Sequence, residues 1–134
     1  TGTSCTACIA GTYKSMPGTG ECLACVTGTY NNMMGLDVCW ACPVGTSSAP
    51  GSDSLHNCTC LAGYRGTSTG APCTACGVGT NKAAVGTGDC VACMAGTYNN
   101  MSGADVCSTC PTGTNSPVSG ATECMPCPAN EKSA

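Results

Sequence analysis

Hydrophobic residues along this chain show no helical periodicity, and the stretches between turn signals are only three to five residues long. Punctuation recurs instead. The regular unit reads C-x-x-C-x-x-G-T with a second glycine seven residues after the first: Gly11 and Gly18, Gly28 and Gly35, Gly79 and Gly86, Gly96 and Gly103, Gly113 and Gly120. Glycine at fixed offsets marks turns that need positive φ or close backbone approach. Each unit is therefore predicted to be one short irregular β-hairpin or loop, with two or three residues of ladder pairing around Gly-Thr-Tyr and little or no helix.

The units repeat at two levels. First cysteines of successive CxxC clamps fall at Cys5, Cys22 and Cys39, and again at Cys73, Cys90, Cys107 and Cys124, in steps of 17 residues. CTAC at Cys5 returns at Cys73, and GTYNNMMGLDVC at Gly28 returns as GTYNNMSGADVC at Gly96, both with an offset of 68. The organisation expected is three regular repeats over 1–57, an irregular C-T-C linker repeat over 58–72, and a duplicated block over 73–134. A unit this small cannot bury a face alone, so neighbours must stack into a narrow rod.

Composition says what fills that rod. The chain has 134 residues, 16 of them cysteine, with no phenylalanine, and no single hydrophobic core can be built from such a set. Charged residues are 8% of the chain and the net charge is -3, so there is no basic stripe for nucleic acid and little electrostatic steering. No apolar run approaches the roughly 20 residues of a membrane span, so no direct membrane insertion is expected. The chain opens at Thr1 without an initiator Met and reads as a processed protein or a piece of a longer one.

Three chemistries compete for the clamps. Zinc-ribbon spacing overlaps this pattern, but the step is uniform along the chain instead of grouped in fours, one clamp is the cramped Cys58-Thr59-Cys60, and a basic surface is missing. Thioredoxin-like redox chemistry wants CxxC at a helix N-terminus, and no helix is visible. Structural disulfides remain, and they imply an oxidising, extracellular compartment. No metal and no cofactor is expected.

Two pairings are open. The simplest repeating one joins the second Cys of a clamp to the first of the next: Cys8 to Cys22, Cys25 to Cys39, Cys42 to Cys58, Cys60 to Cys73, Cys76 to Cys90, Cys93 to Cys107 and Cys110 to Cys124. It leaves Cys5 and Cys127 for bonds between chains or between repeats, and a further copy after Ala134 would bring Cys127 within a 12-residue span of the next Cys5. The rival joins first to first and second to second, as Cys5 to Cys22 and Cys8 to Cys25.

The motif C-x-x-C-x-x-G-T-Y, with a further Cys about fourteen residues after the second clamp cysteine, resembles the cysteine-rich repeats of TNF-receptor-like and ephrin-receptor-like ectodomains. It resembles equally the repeats of protist and algal surface proteins and of mastigoneme-like flagellar-hair fibres, above all in PVGTSSAPGSDSLHNCTCLAGYRG. The resemblance implies an elongated disulfide ladder with forward pairing, and no catalysis. The near absence of charge and the regular step depart from receptor ectodomains.

Candidate sites are few. His56 is the only histidine and lies with Asp53 and Ser54 in a Gly/Ser/Pro-rich turn, where a solvated role is expected. Asp37 and Asp105, like Glu21 and Asp89, occupy equivalent repeat positions and read as turn residues. Trp40, Met33 and Met34 are candidates for a lateral contact, the alternative being a Trp40 that covers its own disulfide. Asn57 and Asn100 stand in N-glycosylation triplets, and TGTS, GTSS, TSTG and TNSP offer O-glycan acceptors. The expectation is a non-enzymatic extracellular structural protein, a segment of a self-associating surface fibre or coat whose partners are copies of itself or neighbouring repeats, and glycans. The alternative is a receptor-like or adhesive binding module.

Overall fold

The structure, a computed structural model, describes residues 4–134. Thr1 and Thr3 of the TGTS stretch lie outside the described residues. The chain divides into two compact units, Thr1–Thr59 with Ser68–Pro72 and Cys60–Thr67 with Cys73–Ala134.

Every strand is two residues long. In order they are β1 (Thr12–Tyr13), β2 (Leu23–Ala24), β3 (Thr29–Tyr30), β4 (Trp40–Ala41), β5 (Thr46–Ser47), β6 (Thr59–Cys60), β7 (Tyr64–Arg65), β8 (Thr74–Ala75), β9 (Thr80–Asn81), β10 (Val91–Ala92), β11 (Thr97–Tyr98), β12 (Ser108–Thr109), β13 (Thr114–Asn115) and β14 (Met125–Pro126). Consecutive strands pair into two-stranded sheets, β1 with β2 through β13 with β14. The helical element among the described residues is a single 3-10 turn over Leu55–Asn57, capped by the Ser54 hydroxyl, which accepts from His56 N–H. The architecture is the expected disulfide-rich repeat of short hairpins without a hydrophobic core.

Local chemistry explains why the motif makes a hairpin. The residue after the second clamp cysteine offers its carbonyl to the Gly-Thr threonine twice: Ile9 O accepts from Thr12 N–H at 3.0 Å and from Thr12 Oγ1 at 2.7 Å. The same closure recurs at Thr29, Thr80, Thr97 and Thr114. Threonine is thus selected because backbone and side chain lock one turn together. The chain then returns in fixed register, with Thr12 opposite Ala24 and Tyr13 opposite Leu23.

One disulfide closes each hairpin. The pairs are Cys8–Cys22, Cys25–Cys39, Cys42–Cys58, Cys60–Cys73, Cys76–Cys90, Cys93–Cys107 and Cys110–Cys124, with Cα atoms 5.7 to 5.8 Å apart. This is the forward ladder, and the first-to-first pairing is not formed. A loop of about 15 residues closed this way is worth roughly 3 kcal/mol in the chain-entropy model.

Between hairpins, stacking is by backbone hydrogen bonds. In the first unit Gly11 N–H donates to Asn31 O at 2.7 Å and Gly35 N–H to Cys8 O at 2.8 Å; in the second, Gly79 N–H donates to Asn99 O and Gly103 N–H to Cys76 O, both at 2.7 Å. Glycine is required where hairpins approach closely. A Cβ on Gly79, whose φ is +75°, would stand 2.4 Å from Gly120 O, closer than any real contact.

The buried apolar residues among those described are all cysteines: Cys8, Cys25, Cys58, Cys60, Cys73, Cys76 and Cys93. The rest of the interior is polar. Asn31, Ser48, Asn99 and Ser116 are buried three residues after a turn glycine, and each side chain donates back to the preceding hairpin, to Thr12 O, Thr29 O, Thr80 O and Thr97 O at 2.7 to 3.0 Å. No buried side-chain nitrogen or oxygen among the described residues lacks a partner, so the polar interior carries no desolvation debt.

Candidate functional site

With the interior given over to sulfur and polar groups, the large apolar side chains are left outside. All six methionines are exposed, Met94 at 77% and Met16 at 73%, together with Ile9, Leu23, Val26, Val44 and Val85. Normal proteins scatter such residues singly. Here the repeat places them at recurring positions: inside a clamp as at Leu23, one or two residues after one as at Ile9, Val26, Val44 and Met94, or between the paired glycines as at Met16 and Val85.

Met33 and Met34 lie at a hairpin tip, 56% and 65% exposed. The Asn31 side chain holds it, accepting from Met33 N–H at 2.9 Å while donating to Thr12 O at 2.8 Å. Trp40 sits on β4 opposite Tyr30 of β3, with ring centroids 5.7 Å apart in an edge-to-face arrangement. It is 39% exposed. The sequence missed Tyr30 as the partner of Trp40 because the pairing depends on hairpin register, which no local signal in CWAC encodes.

Cys5 is exposed and Cys127 half-buried, and neither is in a disulfide. Asn57 and Asn100 are both exposed. Asn57 ends the 3-10 turn, and the Cys58 beside it is fully buried in a disulfide. The O-glycan candidates divide. Thr46 and Ser48 of GTSS, and Thr114 and Ser116 of TNSP, spend their hydroxyls on Pro43, Thr29, Pro111 and Thr97 carbonyls. Thr67, Ser68 and Thr69 of TSTG are exposed.

His56 is exposed, its Nδ1 3.4 Å from Thr69 Oγ1. Asp53 is exposed nearby. Asp89 makes a solvent-exposed ion pair with Arg65 at 3.5 Å and accepts from Cys90 N–H, a turn role. Asp37, Asp105 and Glu21 are exposed. Fourteen cysteines are spent in disulfides and cannot act as thiolate ligands.

Two lysines were not singled out by the sequence. Lys82 is buried at 6% exposure and donates to Ala84 O at 2.6 Å and Gly86 O at 2.8 Å. Lys14, 68 residues earlier, curls in the same way onto Met16 O and Gly18 O. Each stands at the third position after a turn glycine, where other units bury Asn or Ser, and its loop carbonyls replace the solvent an ammonium needs. The signal available was the shared spacing K-x-x-x-G-T-G with an acidic residue following.

No protein-family model matches the chain, and comparison with characterised proteins finds no match.

Proposed function

We propose that this chain is a segment of an extracellular, self-associating surface fibre or coat, working through covalent stiffness and lateral packing. One observation carries the reading: the repeat buries cysteines and hydrogen-bonded polar groups while presenting methionine, valine and leucine outward at recurring positions. A lone soluble domain gains nothing from that inversion, whereas copies packed side by side bury it, at about 25 cal/mol for each Å² of apolar surface removed from water. Seven disulfides are at home in an oxidising compartment, and the resemblance of the repeat to algal and protist surface fibres points the same way.

Electron microscopy of the oxidised protein after concentration is expected to show filaments or sheets. Particles that stay monomeric at high concentration, and that instead capture a soluble extracellular ligand, would overturn this reading in favour of a binding module. Replacing Met33 and Met34 by Ser is expected to reduce assembly while leaving the melting of the monomer within a few degrees, since both side chains are exposed.

A further inference from the structure

Two hairpin tips 68 residues apart share one geometry and differ in chemistry. In the first unit the bend Asn32-Met33-Met34 is pinned from both sides. The buried Asn31 donates to Thr12 O at 2.8 Å and accepts from Met33 N–H at 2.9 Å, and Gly35 N–H donates to Cys8 O at 2.8 Å. In the second unit the buried Asn99 donates to Thr80 O at 2.7 Å and accepts from Met101 N–H at 2.9 Å, and Gly103 N–H donates to Cys76 O at 2.7 Å. The anchors are the same. What they hold out differs, since Ser102 stands where the first tip has Met34 and makes Asn100-Met101-Ser102 an acceptor triplet for N-linked sugar.

All three residues of that triplet are exposed, Met101 at 68%, in the loop between β11 and β12. Among the described residues the Asn100 side chain has no hydrogen-bond partner. A bulky polar sugar on its amide therefore displaces no packed group and breaks no bond of the stack. The other triplet, Asn57-Cys58-Thr59, is placed differently. Asn57 is exposed, but Cys58 and Cys60 are 0% and 1% exposed and bonded to Cys42 and Cys73, and Thr59 lies between them in β6. Two disulfides thus fix the middle of this triplet and the residue after it. Only a chain not yet oxidised there can bend it into an enzyme, whereas Asn100 is open before and after folding.

We propose that Asn100 carries an N-linked oligosaccharide, that Asn57 stays bare, and that the sugar covers Met101 and leaves Met33 and Met34 as the tip open to other copies. This rests on the extracellular reading above and narrows its lateral contact. Without the sugar the two tips offer two equivalent apolar contacts; with it one remains, and copies can pack in fewer ways. The donor is an oligosaccharide joined through C1 to a lipid pyrophosphate. Asn100 Nδ2 attacks that C1, a C–N bond forms as the C–O bond breaks, the lipid pyrophosphate leaves with the electron pair, and the amide gives up one proton to a base of the transferase.

The test is to secrete the full chain from a eukaryotic cell, remove N-linked sugar enzymatically in heavy-oxygen water and map the peptides by mass spectrometry. Asn100 is expected to be recovered as Asp carrying the heavy oxygen, and Asn57 as unlabelled Asn. A secreted, oxidised chain with Asn100 bare would overturn the site, and equal labelling at both asparagines would overturn the part given to the disulfides. Met34→Ser completes the same triplet at Asn32 and tests the geometry. That variant is expected to gain a second sugar, at Asn32, and a secreted variant bare there would overturn the argument from the shared bend. Shielding is read by sedimentation. Asn100→Gln is expected to associate at a concentration about tenfold lower than the glycosylated chain, the gain from burying part of one methionine; an unchanged threshold would overturn the cover over Met101. A chain labelled at Asn100 that never assembles would keep the site and remove the fibre; filaments of a chain bare at Asn100 would do the reverse.

Discussion

Asn31 shows how much one side chain does when the interior is polar. It is fully buried, donates to Thr12 O of the preceding hairpin and accepts from Met33 N–H at the tip of its own. Asn31→Ala leaves a carbonyl and an amide without partners, a loss of about 1–3 kcal/mol. Guanidinium denaturation with the disulfides intact should show that loss, while Asn32→Ala, at an exposed neighbour, should change little. The sequence showed Asn31 and Asn32 as an undifferentiated pair beside two methionines. Which of the two turns inward is set by the hairpin register, and that depends on a strand ten residues further on.

At the scale of the hairpin, legibility was high where covalent and steric demands are local. The Cys step, the paired glycines and the absence of helix all follow from residue types that allow few alternatives: a disulfide fixes two Cα atoms, and a positive φ excludes most side chains. Stacking was less legible. Gly79 and Gly96 look alike in sequence and have φ of +75° and +85°, yet a Cβ on Gly79 would meet Gly120 O at 2.4 Å whereas one on Gly96 would meet nothing within 4 Å. Gly96→Ala should therefore cost only the roughly 1–2 kcal/mol of a left-handed alanine. Gly79→Ala should cost clearly more, because two hairpins must also move apart; thermal melts of the pair measure the difference. Lys14 and Lys82 were illegible for a related reason. A lysine in a Gly/Ala/Ser loop reads as solvated, and only the folded loop brings two carbonyls to its ammonium.

For the whole molecule, the scarcity of charge has a measurable consequence. With 8% charged residues, and with the Arg65–Asp89 ion pair exposed on both sides, the self-association proposed above would rest on apolar contact instead of on charge. Raising salt to about 1 M, where the screening length falls to about 3 Å, is expected to leave assembly unweakened or to strengthen it. Light scattering across a salt series checks this, and assembly that dissolves in salt would point to an electrostatic interface.

The sequence by itself determined the covalent rhythm of this protein: one hairpin per 17-residue step, a duplicated block, and cysteine in place of a hydrophobic core. These are properties of spacing and composition, which a chain displays before it folds. The tertiary structure decided what meets across the hairpins: Trp40 against Tyr30, Asn31 and Lys82 turned inward, and Asn130 in the place of a glycine. Trp40 and Tyr30 are ten positions apart and Asn31 and Thr12 nineteen, so these partners exist only once register and stacking are fixed. The Lys82 ammonium meets carbonyls two and four residues on only when its loop closes around it.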